Sequence, residues 1–331
     1  MTAKHVLGLD IGGANLKAAD VRRRALNRSF PLWKTPSELS ERLRALIGEY
    51  PETTELAVVM TGELCDCFAT KSEGVVHIVR SVYEAAKLSA RFWTTDGVFV
   101  SDQTAIAEPE RVAAANWHAL ATYAGRFAGT DPALLLDIGS TTTDIIPIAD
   151  GKPATLGRTD PERLRSAELV YTGVRRTPLC AVFGMEKAAE FFATMDDVYL
   201  LLEETTEKPK DSDTADGRPR TRTHAHARIA RMECDDAKGF GLEQAVALAE
   251  DARGRQLTYL AYALQRVLSR IAPTPRLVIT SGEGEFLAPS ILARASLGRT
   301  PRRSLGDELG PAASSAACAF AVAMLANEAG R

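Results

Sequence analysis

One short pattern occurs twice in this chain of 331 residues, first near the start and again near the middle. The first copy is HVLGLDIGGANLKAADV, beginning at His5, and the second is LLLDIGSTTTDIIPI, beginning at Leu134. In each copy an apolar run ends in Asp-Ile-Gly, and a short polar turn leads into a second run. Each copy therefore predicts a strand, a tight turn and a return strand. Repetition on this scale indicates two related lobes that face each other.

The composition agrees with a two-lobed globular protein. A chain of 331 residues is long enough for two units of roughly 100–200 residues each. Hydrophobic residues make up 45% and charged residues 25%, which excludes collagen, a coiled coil and a mostly disordered chain. We expect an N-terminal lobe over residues 1–130 and a C-terminal lobe over residues 131–331.

Charge and targeting signals exclude several classes of partner. The net charge of −3 lacks the basic excess of nucleic-acid or anionic-membrane binders, so neither partner is expected. The N-terminus enters the strand pattern directly, and the weakly polar run Ala312–Ala326 is shorter than the roughly 20 residues of a bilayer span. The five cysteines do not form a disulfide framework, which favours the cytoplasm. The oligomeric state stays open, with a homodimer as one option.

Start and composition signals predict three helices. Thr35 as N-cap, Pro36 at the first helical position and Glu38 completing a capping box predict a helix start. The segment from Arg111 to Tyr123 is also expected to be helical. An Ala-rich run from Ala312 to Glu328 predicts a single closing helix.

The two turns have the composition of a phosphate-binding site. Glycine lets backbone amides approach an anion closely and permits a positive φ, while serine and threonine add hydroxyl donors. Aspartates at the strand ends suit a hydrated Mg²⁺. The predicted diphosphate-binding residues are Gly12, Gly13, Asn15, Lys17, Gly139, Ser140, Thr141 and Thr142, with Asp10 and Asp137 as magnesium ligands and catalytic residues.

Other arrangements fit this spacing less well. A P-loop needs G-x-x-x-x-G-K-[ST], and a dinucleotide fold needs G-x-G-x-x-G before a helix. Neither spacing occurs at these turns, each of which leads into a strand. The competing interpretation is a pair of tight hairpins whose aspartates only cap turns, and the presence of two copies favours phosphate binding over it.

At these residues the chain resembles the actin, sugar kinase and heat-shock chaperone ATPase superfamily. LDIGGANLK resembles its first phosphate motif and LDIGSTTTD its second. The turn Gly282-Glu283-Gly284 resembles the turn that lies against adenosine in relatives, and the late Ala-rich helix resembles the element that connects the lobes. The resemblance implies an α/β, two-lobed actin-like ATPase (ribonuclease H-like) fold with an interlobe cleft.

Several strings resemble a narrower family. They are GLDIGGANLKAAD, MTGELCDCFATKSEGV, SDQTAIAEP, LLLDIGSTTTDIIPI, YTGVRRTPL and DTADGR. Together they resemble the hydantoinase/oxoprolinase-like proteins linked to tetrahydromethanopterin-dependent one-carbon transfer. The resemblance implies a methanofuran-biosynthesis transferase that joins furfurylamine diphosphate to γ-glutamyltyramine, forming an aryl ether and releasing diphosphate. It implies magnesium as cofactor and no requirement for ATP.

Such a reaction needs a base, because a phenol with a pKa near ~10 is a poor nucleophile at neutral pH. Asp102 follows the strand-like segment Val98–Ser101, where sugar kinases carry their catalytic aspartate; a helix-capping role is the alternative. Glu63 follows another strand, and its alternative is a loop carboxylate in solvent. Lys71 is either a phosphate ligand or a surface lysine.

Further charged groups lie later in the chain. Arg175 and its neighbour Arg176 are candidates for binding phosphate oxygens bidentately, against solvated or salt-bridged arginines. The polar segment Thr205–Thr223 must be a surface loop, either a lid over substrate or a mobile linker without chemistry. Cys65-x-Cys67 and the histidines lack the spacing of a zinc site.

Two other classes of function stay open on this scaffold. One is an ATP-dependent kinase or a hydantoinase/oxoprolinase-type hydrolase, and the other is a non-catalytic regulator or assembly ATPase. The kinase or hydrolase needs a working adenosine pocket, and Glu283 would place an anion near the nucleotide. The regulator is supported by no long interaction tail or exposed apolar stripe. The sequence therefore favours the transferase.

Overall fold

The fold contains two mixed β-sheets. The computed structural model describes residues 5–329. The first sheet contains β1 (Val6–Ile11), β2 (Asn15–Asp20), β3 (Ala25–Ser29), β4 (Glu55–Met60), β5 (Ser89–Trp93) and β6 (Phe99–Val100). The second contains β7 (Ala133–Ile138), β8 (Thr143–Ala149), β9 (Lys152–Pro153), β10 (Leu169–Val170), β11 (Leu277–Ser281) and β12 (Arg302–Ser304). The strand–turn–strand predicted for each copy of the repeat is confirmed as β1–β2 and β7–β8.

Helices fill the connections between these strands. In the first half of the chain they are α1 (Leu39–Gly48), α2 (Lys71–Ala85), α3 (Asp102–Ala107), α4 (Pro109–Val112) and α5 (Asn116–Gly125). Those that follow are α6 (Asp160–Ser166), α7 (Leu179–Phe183), α8 (Met195–Leu201), α9 (Arg222–Arg231), α10 (Leu242–Leu268), α11 (Ala288–Arg294), α12 (Leu305–Ser314) and α13 (Ala317–Glu328). Short 3₁₀ turns occur at Pro36–Glu38, Gly62–Leu64, Gly184–Glu186 and Glu285–Leu287.

The two sheets repeat one topology. Their strand orders are β3-β2-β1-β4-β5-β6 and β10-β8-β7-β11-β12, with β9 paired to β8. In both, a central hairpin has an antiparallel strand on one side and two parallel strands on the other. The registers are also equivalent, because Asp10 faces Lys17 in one hairpin and Asp137 faces Asp144 in the other. The carboxyl ends of β1 and β7 therefore present the two aspartates in the same way.

Helices α5 and α13 lie between the sheets. Alternation along each strand sends successive side chains to opposite faces. One face of the first sheet, including Val6 and Val59, packs on α5 and α13, while the opposite face, including Leu7 and Leu9, packs on α1 and α2. The second sheet contacts α5 and α13 on one face and α7, α8, α10 and α11 on the other. The last helix thus joins both halves of the fold, and the division of the lobes at residue 130 stays a prediction.

Gly8 allows α13 to approach β1 closely. A Cβ atom at this position would lie 1.9 Å from the carbonyl oxygen of Ala319. We expect Gly8→Ala to lower the free energy of unfolding by about 3 kcal/mol, because the helix must move away from the strand. Urea denaturation measures this change.

A matched control uses Gly254 in the middle of α10, where nothing lies within 4 Å of an added Cβ. Gly254→Ala is expected to raise the free energy of unfolding by about 0.5–1 kcal/mol through helix propensity. If Gly8→Ala changes the free energy of unfolding by no more than Gly254→Ala does, the result would contradict the close packing of α13 on β1.

The predicted capping box at the first helix is wrong. Residues Pro36–Glu38 form a 3₁₀ turn, Thr35 makes no side-chain cap, and α1 begins at Leu39. The Glu38 carboxylate instead accepts a hydrogen bond of 2.8 Å from Nη2 of Arg42. This (i, i+4) ion pair draws the side chain forward along α1, away from the backbone amide that a capping box would use.

Two predicted helices are broken in the structure. The segment from Arg111 to Tyr123 is interrupted after α4, where Ala114 has a φ of 49°. The closing segment consists of α12 and α13, bent by 99°, and α12 itself is kinked at Gly310 and Pro311. Among residues 5–329, no single helix has both the length and the apolar character of a membrane span; only the bent pair α12 and α13 meets the two measures jointly.

Candidate active site

The two hairpin turns have the same backbone geometry. The amide of Gly12 donates a hydrogen bond of 3.0 Å to the carbonyl of Asn15, and the amide of Gly139 donates one of 2.8 Å to that of Thr142. Each turn thus follows its aspartate by two residues and closes in the same way. The residues at the tips are Gly13 and Ala14 in the first turn and Ser140 and Thr141 in the second.

The glycines of these turns are required by space and not by backbone conformation. None of Gly12, Gly13 and Gly139 has a positive φ, so the expected use of that conformation is wrong. A Cβ on Gly13 would lie 2.7 Å from Sγ of Cys65, and one on Gly12 would lie 3.2 Å from the carbonyl oxygen of Asn15. The first turn is therefore packed tightly against the segment that follows β4.

Asp10 and Asp137 are carboxyl groups whose pKa values are raised by burial. Asp10 is 6% exposed, burial raises its pKa while Lys17 lowers it, and its Oδ1 atom has no hydrogen-bond partner among the described residues. Burial also raises the pKa of Asp137 to about 7, helped by Asp144 and Asp10 and opposed by a hydrogen bond from Ser281 and by Lys17. Both side chains would be stabilised as anions by a bound cation.

Lys17 links the two lobes electrostatically. Burial lowers the pKa of its ammonium group, but the combined effect of Asp10, Cys318, Glu283 and Asp137 outweighs burial and raises it. Asp10 belongs to the first hairpin, whereas Asp137 and Glu283 belong to the second sheet and the turn after β11. The two aspartate-containing hairpins are therefore close enough for both aspartates to act on the same ammonium group.

The second hairpin carries its own counter-ion, which sequence reasoning missed. Asp144, opposite Asp137, forms an ion pair with Nη2 of the buried Arg163 on α6. The Arg163 guanidinium carbon also lies 3.9 Å from the centroid of the Trp117 ring on α5. Asp144 is therefore neutralised from within the protein, whereas Asp137 accepts a hydrogen bond from Ser281 and forms no ion pair among residues 5–329. Only the folded arrangement brings α6 to this strand.

The donors present fit a magnesium ion shared with a ligand. Within the described part of the chain, no three His, Cys, Asp or Glu side chains are grouped so as to hold a metal by themselves. Two carboxylates, one with an unpartnered buried oxygen, match the usual mode in which Mg²⁺ keeps several waters and uses substrate phosphate oxygens. Asp10 and Asp137 are the residues that would hold it.

Glu63 is a buried carboxylate beside the first turn, so its alternative as a solvent-exposed loop residue is wrong. It is 1% exposed, and Oε2 has no hydrogen-bond partner among residues 5–329. Burial raises the pKa of Glu63 to about 7, and Asp160, from the second half of the chain, also raises it. A hydrogen bond from its own backbone amide and the charge of Lys71 act in the opposite direction. Nζ of Lys71 lies 3.9 Å from Oε1. A carboxyl group with this pKa can accept a proton near neutral pH.

Asp102 occupies the first turn of α3 and does not cap the helix. The Ser101 hydroxyl is the cap and accepts a hydrogen bond of 3.2 Å from the amide of Thr104. The alternative interpretation of Asp102 is therefore wrong, while its role as a base stays a prediction. Its carboxylate is half-buried.

The segment of residues 172–177, here called the arginine loop, packs directly on the second turn. The amide of Val174 donates a hydrogen bond of 3.1 Å to Gly139, and those of Arg175 and Arg176 donate bonds of 3.0 and 2.8 Å to Ser140. A Cβ on Gly173 would lie 2.4 Å from the carbonyl oxygen of Gly139. The backbone of both arginines is therefore fixed against the second hairpin turn.

The polar segment 205–223 is anchored by ion pairs. Arg220 makes two hydrogen bonds of 2.6 Å to the buried Asp196, and Nη1 of Arg228 lies 2.9 Å from Asp216. Nη2 of Arg175 contacts Asp211 at 2.8 Å. These contacts disagree with the interpretation of the segment as a mobile linker, and they connect it to the arginine loop. A role as a lid over substrate stays a prediction.

The turn after β11 packs on the second hairpin. Gly282 has a φ of 93°, and a Cβ there would lie 2.2 Å from the carbonyl oxygen of Ile138. Gly284 donates a hydrogen bond of 2.8 Å to the same carbonyl, and Val174 and Ile138 occupy the direction of its missing side chain. Glu283, between these glycines, is exposed. A nucleotide-binding role for this turn stays a prediction.

Known proteins resemble this chain along nearly its whole length. The model of the hydantoinase/oxoprolinase family matches residues 55–328. A (4-{4-[2-(gamma-L-glutamylamino)ethyl]phenoxymethyl}furan-2-yl)methanamine synthase from Methanocaldococcus jannaschii is 31% identical, covering 97% of both chains. A synthase of the same name from Methanococcus vannielii is 38% identical over 35% of this chain and 55% of its own length.

A solved structure supports the fold. A nucleotide-free structure of acetone carboxylase has a TM-score of 0.56 and 11% identity, and the match covers 96% of this chain and 70% of that one. The predicted α/β, two-lobed actin-like fold is confirmed. Because the family model covers most of the chain and the M. jannaschii relative covers its full length, the protein belongs to the hydantoinase/oxoprolinase family.

Proposed function

We propose that this protein is a transferase of methanofuran biosynthesis. It condenses (5-aminomethyl-furan-3-yl)methyl diphosphate with γ-glutamyltyramine, forming an aryl ether and releasing diphosphate. The observation that carries the proposal is the pair of hairpins with the same register and turn geometry, whose aspartates, Asp10 and Asp137, both act on the ammonium group of Lys17. Full-length similarity to a synthase supports the choice of substrates.

The name of that relative defines the bond to be made. A phenoxymethyl group on a furan contains an ether oxygen between an aromatic ring and a methylene carbon. Such an ether forms when the phenolic oxygen of the acceptor attacks the methylene carbon and a leaving group departs. A diphosphate is a leaving group for which the two hairpin turns offer amides, hydroxyls and an ammonium group.

The reaction balances without an oxidant or reductant. The bond between the methylene carbon at the 3-position of the furan ring and the diphosphate oxygen breaks, and its electron pair stays on the diphosphate. The furan ring delocalises the positive charge that develops on the carbon, the phenolic oxygen forms the new bond, and the phenolic proton passes to a carboxylate. We assign that proton to Glu63, whose pKa of about 7 suits a base at neutral pH. Asp102 is the second candidate.

Charge accumulates on the leaving diphosphate in the transition state. The amides of Gly12 and Gly139 close their own turns, so the amides of Gly13 and Ser140, together with Lys17, would stabilise that charge. A magnesium ion held by Asp10 and Asp137 would supply further neutralisation of that charge.

The test is direct formation of the ether. The purified protein is incubated with the furfurylamine diphosphate, γ-glutamyltyramine and Mg²⁺, with and without ATP, and the product is followed by mass spectrometry. We expect the ether and one equivalent of diphosphate without ATP. ADP formed only with ATP and an acceptor, with no ether, would contradict the transferase and indicate a kinase.

A further inference from the structure

A network of buried hydrogen bonds holds the arginine loop. The Thr177 hydroxyl accepts a hydrogen bond of 2.9 Å from the amide of Gly173 and lies 3.0 Å from the hydroxyl of Thr172. Gln256 on α10 donates bonds of 2.8 Å to the Thr172 hydroxyl and 3.0 Å to the carbonyl of Gly173. All of these groups are buried, so the loop is preorganised and presents its two arginines in fixed directions.

The two arginines have different surroundings. Arg175 is engaged, because Nη2 lies 2.8 Å from Asp211 and 3.5 Å from Asp213 in the polar segment. Arg176 has one weaker ionic contact, 3.4 Å from Nη2 to Asp213, whose side chain is 61% exposed. A diphosphate can displace an exposed carboxylate from Arg176 more easily than it can displace the shorter, more buried contact of Arg175.

Arg176 also reaches the other half of the fold. Its guanidinium carbon lies 5.9 Å from the centroid of the Trp33 ring. Trp33 follows Leu32, whose amide donates a hydrogen bond of 2.9 Å to Gly13 at the tip of the first turn. Because the Arg176 amide is bonded to Ser140 of the second turn, the contact of Trp33 with Arg176 spans the two phosphate-binding turns.

We propose that Arg176 is a diphosphate-binding residue and that Trp33 is its positioning residue. The proposal rests on the proposed function, since the anion is the leaving group of that reaction. Phosphate oxygens replace Asp213 on the guanidinium, which matches them bidentately. The indole face supports the cation from the opposite lobe, so that both turns close on the same ligand.

Binding of inorganic pyrophosphate, with Mg²⁺ present, tests Arg176 by calorimetry. We expect Arg176→Ala to weaken the affinity roughly 10- to 100-fold, the range for a lost hydrogen-bonded charge pair. Arg176→Lys should recover part of it, because an ammonium group keeps the charge and loses the bidentate geometry. Arg175→Ala should lose less than Arg176→Ala. Arg80→Ala, an exposed position on α2, controls for net charge and should bind as the wild type does.

Tryptophan fluorescence tests the positioning role. Trp33 is 37% exposed, whereas Trp93 and Trp117 are 5% and 2% exposed. Pyrophosphate should change the emission of the wild type, and this change should be absent in Trp33→Phe and in Arg176→Ala. Trp33→Ala should weaken pyrophosphate binding several-fold and lower kcat/KM for the diphosphate substrate, with an unchanged thermal melt.

The outcomes separate this inference from the proposed function. Wild-type affinity in Arg176→Ala, or a larger loss in Arg175→Ala, overturns the role of Arg176 even where the wild type forms the ether. Arg176-dependent pyrophosphate binding without ether formation supports Arg176 and contradicts the transferase. A wild type that binds no pyrophosphate overturns both.

Discussion

Asp10→Asn and Asp137→Asn are each expected to lower the turnover of ether formation roughly 10²- to 10³-fold while leaving the fold intact. Asparagine keeps the shape of each side chain and removes the negative charge that would hold a magnesium ion beside the diphosphate. Steady-state rates over a range of Mg²⁺ concentrations measure the effect. We also expect the magnesium dependence to move to higher concentrations in both variants.

The same strand offers a matched control for these aspartates. Asp131 lies just before β7, at the end opposite Asp137, and is exposed in an ion pair with Arg276. Asp131→Asn should keep the wild-type rate, because a charge at that end of the strand does not reach the two turns. Near-wild-type turnover in both Asp10→Asn and Asp137→Asn would remove the proposed metal site.

Glu63→Gln is expected to lower turnover roughly 10²- to 10⁴-fold, the usual contribution of a positioned general base. The wild-type kcat should rise with pH through about 7, because the base must be deprotonated and burial raises the pKa of Glu63 to about that value. The variant should lack this rise. A pH–rate profile of kcat from pH 5 to 9 makes the comparison, and Glu84→Gln, on the exposed end of α2, serves as control.

The pH dependence of the free energy of unfolding should report the titration of Glu63 independently of activity. The ordinary pKa of a glutamate is 4.5, and in the folded protein that of Glu63 is about 7, so between these values the folded state holds a proton that the unfolded state has lost. The stabilisation from this group is complete below 4.5 and is lost as pH rises through about 7. Glu63→Gln should therefore lose less stability than the wild type between pH 5 and 8. Parallel pH dependences in the two proteins would mean that Glu63 does not titrate as described.

Local sequence patterns were sufficient to predict the two hairpins but not the ends of several helices. An apolar run, Asp-Ile-Gly and an alternating run determine a strand, a turn and a strand from neighbouring residues alone. The capping box at Thr35 failed because Glu38 pairs with Arg42 instead. The prediction of a single closing helix was wrong because the chain breaks before Ala317, which lets α13 lie between the two sheets. That packing is a long-range contact.

The candidate site divides in a similar way. From the sequence we predicted both aspartates, Lys17 and the turn residues, because each is defined by its position in the strand–turn–strand pattern. No local pattern indicated Arg163 as the partner of Asp144, or the contact of Arg176 with Trp33. These pairs join residues far apart in the chain.

The amino-acid order by itself determined that two equivalent hairpins would form, with an aspartate near the carboxyl end of β1 and another near that of β7. The tertiary structure alone decided which carboxylates lack a partner, which arginine faces the opposite lobe and how deeply Glu63 is buried. The physical reason is that strand and turn formation depends on side-chain periodicity over a few residues. Burial, ion pairing and the resulting pKa depend instead on groups that only folding brings together.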